Sequence, residues 1–376
     1  MLRRTLLAAT AMVVAGLSLG TVQAAPKTVQ GPGADPQCFK PWNEKTKFFQ
    51  WKKHNGPFRI ALVNGYVGNT WRIQMIQTAK AYAASPEVKG DLKEFKVIST
   101  GLDAAAQLGA IEDFINQGFD AIIINAVSPE GFDRVIRLAD KNDVVLVPFD
   151  NVLDTDKVMQ VNEDQYKMGV QSAQWLEKQL GKKDGKILEV RGVPGNSVDR
   201  DRHEGFQNTL KADGDKFDVI EVVGNWDDGT AQKATADAVA VHGRFDGLFT
   251  QGGSTGSVRA LMDAKHPFIP MSGEGENGYR KLIAEHAKNG LKGFSYGQSP
   301  ALVAISIKAA ISALKGNTMP QMISVPIPEA DYTDLKPGVN FWPDLSDNFF
   351  ADNQFEPCGV NFTAPQIMSQ TAENVK

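Results

Sequence analysis

From residue 58 onward, short runs of apolar and β-branched residues alternate with longer segments whose apolar positions recur at helical spacing. Runs such as RIALV, DAIIINA, GKILEVR and FDGLFTQ predict buried strands, whereas TWRIQMIQTAKAYA and SVDRDRHEGFQNTL predict amphipathic helices. Strands that alternate with helices of about 10 to 15 residues are typical of parallel sheets built from βαβ units. Because these runs are apolar on both faces, we expect helices to cover both sides of each sheet.

The alternation continues through four strands, passes a polar connection near DNVLDTDKVMQVNEDQ, and then begins again. This predicts an α/β protein with two doubly wound parallel-sheet lobes and a ligand cleft between them. Since no Pro/Gly/Ser-rich linker separates the halves, we expect short hinge strands to join the lobes. The predicted units are an N-terminal extension at 25–56, an N-terminal lobe at 57–162 plus 298–322, a C-terminal lobe at 163–297 plus 323–340, and a tail at 341–376.

The first residues combine Arg3 and Arg4 with an apolar run and a small-residue pattern that ends at Ala24. This order is typical of a secretory signal peptide, which predicts cleavage near Ala24 and an exported protein. The apolar run is shorter than the roughly 20 residues that a membrane helix needs. Because no cysteine follows the run at the predicted cleavage point, a lipid anchor there is not expected.

The sequence contains two cysteines, Cys38 and Cys358, which lie near opposite ends of the chain. In an oxidising compartment an even number of cysteines favours pairing, so we expect a disulfide that ties the extension to the tail. Two separate free thiols are the alternative. The aromatic-rich segments CFKPWNEKTKFFQW and VNFWPDLSDNFFADNQFEPCGVNF are expected to pack on each other or on a lobe.

The stretch PMSGEGENGYRKLI places glycines from Gly273 to Gly278 at the spacing G-x-G-x-x-G, which in other proteins cradles a dinucleotide pyrophosphate. Here Glu274 and Glu276 would put negative charge against the phosphates, so the spacing does not predict a nucleotide cofactor. We expect these carboxylates and Asn277 to bind ligand hydroxyl groups. A tight turn with solvated acidic side chains is the alternative.

The segment GGSTG at 252–256 matches the G-x-S-x-G pattern of a hydrolase nucleophile elbow. The later histidines, His266 and His286, lie in or beside the next predicted strand and helix, away from the strand-end loops. We therefore predict no catalytic residues. The five histidines lack metal-ligand spacing and no phosphate-binding loop is present, so no metal or cofactor is predicted. With a formal net charge of -4, the chain is not expected to bind nucleic acid.

Polar and aromatic residues follow the predicted strands, at the end where ligands bind in open α/β sheets. Aromatic side chains can cover the C–H faces of a sugar, while amide, carboxylate and guanidinium groups pair with its hydroxyls. Each residue also has a structural alternative: Trp71 in the core, Asn69 as a helix cap, Arg202 in a surface ion pair. Together they favour a sugar-binding cleft, and the residues are Asn69, Trp71, Asp150, Asn151, Arg202, Trp226 and Gln298.

From about Phe58 to Pro328 the chain resembles the ribose-binding protein family, the periplasmic sugar-binding proteins of ABC transporters with the type I periplasmic binding protein fold. The segment DRDRHEGFQ is similar to the family motif R-x-R-x-E-G-F, whose second Arg binds ligand. The resemblance implies the same role for Arg202, which we expect to project into a cleft that is open without ligand. IALVNGYVGNTW and VLVPFDN match further family segments. The resemblance implies ligand-binding roles for Asn69, Trp71, Asp150, Trp226 and Gln298.

Several positions depart from the family pattern, including Arg72, Asn151 and Gly252, and Glu274 and Glu276 flank a glycine where the family has an aspartate. We therefore expect a sugar alcohol or a small sugar other than ribose, and Arg72 leaves a sugar acid open. The segment AVSPEG, after Asn125, is similar to relatives that bind a furanose-derived signal. The predicted ligand-binding set is Asn69, Trp71, Arg72, Asn125, Asp150, Asn151, Arg202, Trp226, Gly252, Glu274, Glu276 and Gln298.

The resemblance implies a monomer whose lobes close on a sugar or polyol and dock on an inner-membrane permease, which a separate ATPase drives. No covalent bond is made or broken in this mechanism. The alternatives are a periplasmic hydrolase or sugar-modifying enzyme, and a sensor that feeds a chemoreceptor or kinase.

Overall fold

The computed structural model describes residues 26–374 of the chain, so the predicted signal peptide and its cleavage point lie outside the described residues. In that part of the chain, no helix combines the length and apolar character needed to cross a membrane. The N-terminal extension contributes two short strands, which pair antiparallel: β1 (Lys27–Val29) and β2 (Phe48–Gln50).

The N-terminal lobe is a parallel sheet flanked by helices. Its strands are β3 (Phe58–Asn64), β4 (Leu92–Ser99), β5 (Ala121–Asn125) and β6 (Val145–Pro148). Its first three helices are α1 (Thr70–Ala83), α2 (Ala104–Asn116) and α3 (Asp133–Lys141). The strand order is β4-β3-β5-β6, and every residue of β5 is buried because helices cover both faces of the sheet.

The chain then enters the C-terminal lobe through a short strand, β7 (Gln160–Glu163). The strands of this lobe are β8 (Asp184–Arg191), β9 (Lys216–Val223), β10 (Gly247–Thr250), β11 (Met271–Glu274) and β12 (Gly293–Tyr296). Its helices are α4 (Gln165–Leu180), α5 (Ser197–Ala212), α6 (Asp228–His242), α7 (Ser254–Asp263) and α8 (Asn277–His286).

After β12 the chain returns to the N-terminal lobe as a buried helix, α9 (Leu302–Leu314). The remaining strands are β13 (Thr318–Pro320), β14 (Met322–Val325), β15 (Glu329–Asp331), β16 (Gln354–Phe355) and β17 (Val360–Asn361), and α10 (Ala364–Met368) follows them. β15 joins the second sheet antiparallel to β12, which gives the order β15-β12-β11-β10-β8-β9. The predicted architecture of two parallel sheets with covering helices is confirmed.

The connection between the lobes contains a strand, β7, that was not predicted because the sequence near DNVLDTDKVMQVNEDQ is polar. β7 pairs in parallel with β14, and all four β7 residues are buried. The Gln160 amide can be buried because it has hydrogen-bond partners. Its side chain accepts the Leu153 N–H at 2.7 Å and donates to the Thr155 carbonyl at 2.8 Å. The buried Gln160 amide is therefore hydrogen-bonded within this connection, whereas both carboxylate oxygens of the buried Glu163 lack a hydrogen-bond partner.

The N-terminal extension and the C-terminal tail share the core of the N-terminal lobe. Phe39 and Phe49 of the extension belong to the same buried cluster as Phe355 and Val360 of the tail and the apolar face of α9. The predicted disulfide between Cys38 and Cys358 is present, with their Cα atoms 4.6 Å apart. The aromatic-rich ends therefore pack on a lobe and on each other.

The tail reaches the N-terminal lobe only after running along the C-terminal lobe. On the C-terminal lobe, Asn277 donates to the Trp342 carbonyl at 2.9 Å. Farther along, Gln74 of α1 donates to the Phe350 carbonyl at 3.0 Å. The tail therefore adds a crossing between the lobes to those made by β7, the segment after β12 and the segment after β14.

Candidate ligand-binding site

The strand-end loops of both lobes meet around a cavity. Its empty space, counted out to the open solvent, is about 320 Å³. Its walls are formed by Asn69, Trp71, Arg72, Asp150, Asn151, Val198, Trp226, Glu274, Gln298 and Phe350.

The lobes are in direct contact beside this cavity. Ser197, at the start of α5, donates to the Val152 carbonyl of the other lobe at 3.2 Å. Arg200 forms an ion pair with Asp154 at 2.8 Å. The structure thus shows the lobes closed against each other around the cavity.

Arg72 reaches the cavity from the first turn of α1. Asn69 caps this helix, since its side chain accepts the Arg72 backbone N–H at 2.9 Å. The guanidinium donates to the Asn64 side chain at 2.7 Å and to that of Asn125, and it lies 4.6 Å from the centre of the Tyr66 ring. The charge of Arg72 is therefore surrounded by amide oxygens and an aromatic face.

Asp150 presents a carboxylate oxygen that no protein group satisfies. Asn125 donates to its Oδ2 at 3.1 Å, but its buried Oδ1 has no hydrogen-bond partner. Burial raises the pKa of Asp150 to about 6, against the opposing effect of the nearby Arg72. Its backbone lies in the left-handed region at φ 59°, which is uncommon outside glycine and is often found at functional sites. Oδ1 is thus free to accept a ligand hydroxyl.

Tryptophans from opposite lobes line the cavity. Trp71 donates its indole N–H to the Gln298 carbonyl at 2.9 Å, which fixes its ring against the segment that follows β12. The buried Nε1 of Trp226 has no partner. A Cβ atom at Gly192 would lie 2.1 Å from the Trp226 ring, and one at Gly252 would lie 2.9 Å from it. Both glycines therefore leave the space that this ring occupies.

The side chain of Arg202 does not project into a cleft, contrary to what the sequence led us to expect. Its side chain is fully buried and is not part of the cavity wall. It donates to Gln165 at 2.8 Å, to the Gln251 carbonyl at 2.6 Å and to Glu274 at 2.6 Å, and also to the Gln298 side chain. Because Glu274 and Gln298 line the cavity, Arg202 holds two of its walls from behind.

The charges around the cavity balance. Arg202 pairs with Glu274, and the Arg72 and Asp150 charges attract each other. Burial raises the pKa of Glu274, and the Arg202 guanidinium opposes that rise. Since an uncompensated buried charge is costly, a site with this balance favours a neutral ligand over an anion.

Glu276 is not part of the cavity wall, contrary to the sequence prediction. Its carboxylate accepts the backbone N–H groups of Gly253, Ser254 and Thr255 at 2.8 to 2.9 Å. These are the free N–H groups at the start of α7, which need an acceptor and favour negative charge. Glu276 therefore caps a helix, and the positions predicted at Gly252 and Asn125 likewise support Trp226 and Asp150 from outside the wall.

Two of the three glycines in the 273–278 spacing are explained by the tail, whereas Gly273 leaves space for the Ser254 side chain. A Cβ atom at Gly275 would lie 2.6 Å from the Asp352 carboxylate, and one at Gly278 would lie 2.6 Å from Cβ of Asp347. Asn277, expected to meet ligand hydroxyls, instead accepts the Trp342 N–H at 2.8 Å and donates to tail carbonyls. Gly275 and Gly278 let the tail lie directly on this loop.

Ser254, the serine of the G-x-S-x-G match, is fully buried. Its hydroxyl accepts the Glu274 backbone N–H at 3.0 Å, and within residues 26–374 no histidine forms a hydrogen bond with it. This arrangement lacks the general base that a serine nucleophile needs.

Among the described residues, Glu189, His203 and Glu221 form a group whose atoms are close enough to share a metal ion. Arg191 already lies there: its guanidinium donates to Glu221 at 2.8 Å and lies 3.8 Å from Glu189. His203 also contacts Glu189 at 3.0 Å. The closeness of these three side chains is thus explained by their contacts with Arg191 and with each other, without a metal ion.

Comparison with known proteins identifies the fold family. A family model described as periplasmic binding protein domain matches residues 60–318. The chain belongs to this family. The type I fold of two lobes, expected from the sequence resemblance, is confirmed by solved structures of periplasmic binding proteins. One of them, an ABC transporter solute binding protein from Thermobispora bispora, has a TM-score of 0.66 at 25% identity, with 72% of this chain and 84% of that chain covered.

Sequence relatives of this periplasmic binding protein carry sugar-related names. The ribose import binding protein of Haemophilus influenzae is 23% identical over 234 residues, which cover 61% of this chain and 78% of that protein. The xylitol-binding protein of Mycolicibacterium smegmatis is 26% identical over 179 residues. That second match covers 46% of this chain and 51% of the relative, about half of each.

Two wall residues of this periplasmic binding protein were not predicted. Val198 lies on α5, four residues before Arg202, and an apolar residue there reads in sequence as ordinary helix packing. Phe350 comes from the tail, which lies outside the matched family segment. The aromatic-rich composition of the tail was visible in the sequence, but nothing in it indicates which ring reaches the cavity.

Proposed function

We propose that this chain is the periplasmic solute-binding protein of an ABC transporter. It captures a neutral sugar or sugar alcohol between its lobes and delivers it to a membrane permease. The observation that carries the proposal is the cavity wall itself, where tryptophans from opposite lobes lie beside the unsatisfied Oδ1 of Asp150 and Nε1 of Trp226. A hydroxylated ligand supplies both a donor for Asp150 and an acceptor for the indole.

The balanced charges favour a neutral ligand over the sugar acid that Arg72 left open. Arg72 has amide partners on the protein, and Arg202 has Glu274. The names of the ribose and xylitol relatives support the same ligand class. The residues we assign to direct ligand contact are Asn69, Trp71, Arg72, Asp150, Asn151, Trp226, Glu274 and Gln298.

Closure couples binding to delivery in this proposal. The contacts of Ser197 with Val152 and of Arg200 with Asp154 exist only when the lobes meet. A ligand that contacts both lobes favours the closed state by its differential affinity for that state. The permease then recognises the closed pair of lobes.

A thermal-shift screen tests the ligand class. The purified mature protein is heated with a panel of neutral pentoses, hexoses and sugar alcohols, and with the corresponding sugar acids. A ligand at about 100 times its dissociation constant adds roughly 2.7 kcal/mol to the free energy of unfolding. We expect at least one neutral member to raise the melting temperature. A panel in which only sugar acids do so would contradict the proposal.

Ligand affinity should depend on pH through Asp150. Because its pKa is about 6 and its ionised form is the better acceptor, affinity should be constant above that pKa and weaken as pH falls below it. If only the ionised form accepts the hydroxyl, the loss approaches about tenfold per pH unit. Calorimetric titration across this range measures the effect.

Asp150→Asn is the control for this pH dependence. The amide oxygen keeps an acceptor at the same place but does not titrate, so the variant should bind more weakly and with a flatter pH profile. The nearby Arg72 and Arg202 stay charged over this pH range. Glu163 and Glu274 also have raised pKa values, so they are the other groups nearby that could titrate. An identical profile in parent and variant would assign the titration to those glutamates and not to Asp150.

In the proposed function the protein binds and releases its ligand without changing it chemically. We expect the best ligand of the panel to be recovered intact after prolonged incubation with the protein, as judged by its NMR spectrum. Ser254→Ala should behave identically in this assay. Turnover that disappears in Ser254→Ala would instead establish the hydrolase alternative.

A further inference from the structure

The C-terminal tail forms part of the cavity wall. Phe350 lines the cavity with Trp71 and Trp226, although it lies beyond the matched family segment 60–318. We propose that Phe350 is a specificity-determining residue, which limits the size of the ligand and requires an apolar face at one end of it. This inference rests on the proposed function and adds to it a selection rule that the two lobes alone do not provide.

The backbone of Phe350 is fixed from both lobes. Gln74 of the N-terminal lobe accepts its N–H at 2.8 Å and donates to its carbonyl at 3.0 Å. The next residue, Ala351, donates its N–H to the Gly275 carbonyl of the C-terminal lobe at 3.0 Å. The Phe350 ring therefore has a defined position only where both lobes meet the tail.

Asp352 fastens the tail just after this point. Its carboxylate accepts from the buried Arg280 of α8 at 2.6 and 3.1 Å, and its carbonyl accepts from the Ser299 hydroxyl. Gly275 and Gly297 leave the space for this carboxylate, since a Cβ atom would lie 2.6 Å and 2.8 Å from it, respectively. The loops that contain Gly275 and Gly297 therefore have both the space and the ion-pair partner that hold the tail beside the cavity.

The chemistry of the ring defines what it selects. A phenyl ring offers van der Waals contact to C–H groups but forms no conventional hydrogen bond. A ligand hydroxyl pressed against Phe350 would lose its hydrogen bonds to water without replacement. The preferred ligand therefore places a C–H face or an unsubstituted end there, and a homologue with one more hydroxymethyl group at that end is excluded.

The test compares Phe350→Ala with the adjacent Phe349→Ala. Phe349 is similarly buried, but its ring packs on Trp342, 6.4 Å between centroids, and is not part of the cavity wall. Dissociation constants are measured by calorimetry for the best neutral ligand of the parent and for its homologues lengthened by one hydroxymethyl group. Phe350→Leu, which keeps apolar bulk, covers the case in which the alanine variant does not fold.

We expect Phe350→Ala to weaken binding of the parent's best ligand by roughly tenfold to a hundredfold, the loss expected for one buried aromatic contact. The longer homologues should gain relative to it, so the ranking of ligands changes, with Phe350→Leu intermediate. Phe349→Ala should keep the parental ranking. An unchanged ranking in both Phe350 variants would overturn this inference alone, whereas a parent that binds no neutral sugar or polyol would overturn the proposed function as well.

Discussion

Replacing Arg202 by alanine is expected to weaken ligand binding by roughly two to four powers of ten and to destabilise the fold. The guanidinium holds Glu274 at 2.6 Å and also the side chain of Gln298, and both residues line the cavity. Its removal leaves Glu274 as a buried carboxylate without its partner, which costs about 3 to 5 kcal/mol in the free energy of unfolding. Calorimetry and urea unfolding measure the two effects.

Arg200→Ala is the matched control, from the same helix. The Arg200 side chain is 41% exposed and pairs with Asp154 and Asp201, and such surface ion pairs contribute about 0 to 1 kcal/mol. Because the pair with Asp154 forms only between closed lobes, this variant should bind up to a few-fold more weakly than the parent, far less than the loss expected for Arg202→Ala. Arg202→Lys should not rescue binding, because one ammonium cannot reproduce the forked geometry of the guanidinium. Parental affinity in Arg202→Ala would show that the cavity described here is not where the ligand binds.

Removing the disulfide is expected to have the second large effect. The bridge joins residues 320 apart in sequence, so it restricts the unfolded chain over nearly its whole length. The double substitution Cys38→Ser and Cys358→Ser should lower the free energy of unfolding by up to about 6 kcal/mol in the chain-entropy description. Urea unfolding of parent and variant measures this difference.

The parent protein unfolded in the presence of a reductant is the matched control, since it loses the bridge without a change of sequence. It should unfold at the same urea concentration as the double variant. Peptide mapping without reductant should recover Cys38 and Cys358 in one cross-linked species. Two free thiols in the purified protein, or equal stability with and without reductant, would contradict this prediction.

Much of the fold was predictable because local pattern and tertiary packing agree. The segment TWRIQMIQTAKAYA, predicted as a helix, forms α1 from Thr70 to Ala83, and the apolar run AIIIN forms the fully buried β5. Asn69, Trp71 and Asp150 were found because strand ends of parallel sheets meet at one edge. These inferences need only the order of elements along the chain.

The features of the site that the sequence did not predict are contacts between segments that lie far apart along the chain. Glu276 caps α7, more than twenty residues earlier in the chain, and Gln74 fixes Phe350 across 276 positions. Arg202 carries a recognisable motif, yet its burial behind the cavity follows from the positions of Gln165, Glu274 and Gln298 in three dimensions. Periodicity and motif spacing contain no information on such pairings.

Titration calorimetry with a matched pair of ligands shows whether a neutral sugar or polyol binds between the lobes. One is the best neutral sugar or sugar alcohol of the screen, and the other is the sugar acid with the same carbon chain. We expect one ligand to bind per chain, the neutral member to bind more tightly than the acid, and Trp226→Ala to weaken binding of the neutral member. Tighter binding of the acid, or no binding of any neutral member, would contradict this expectation.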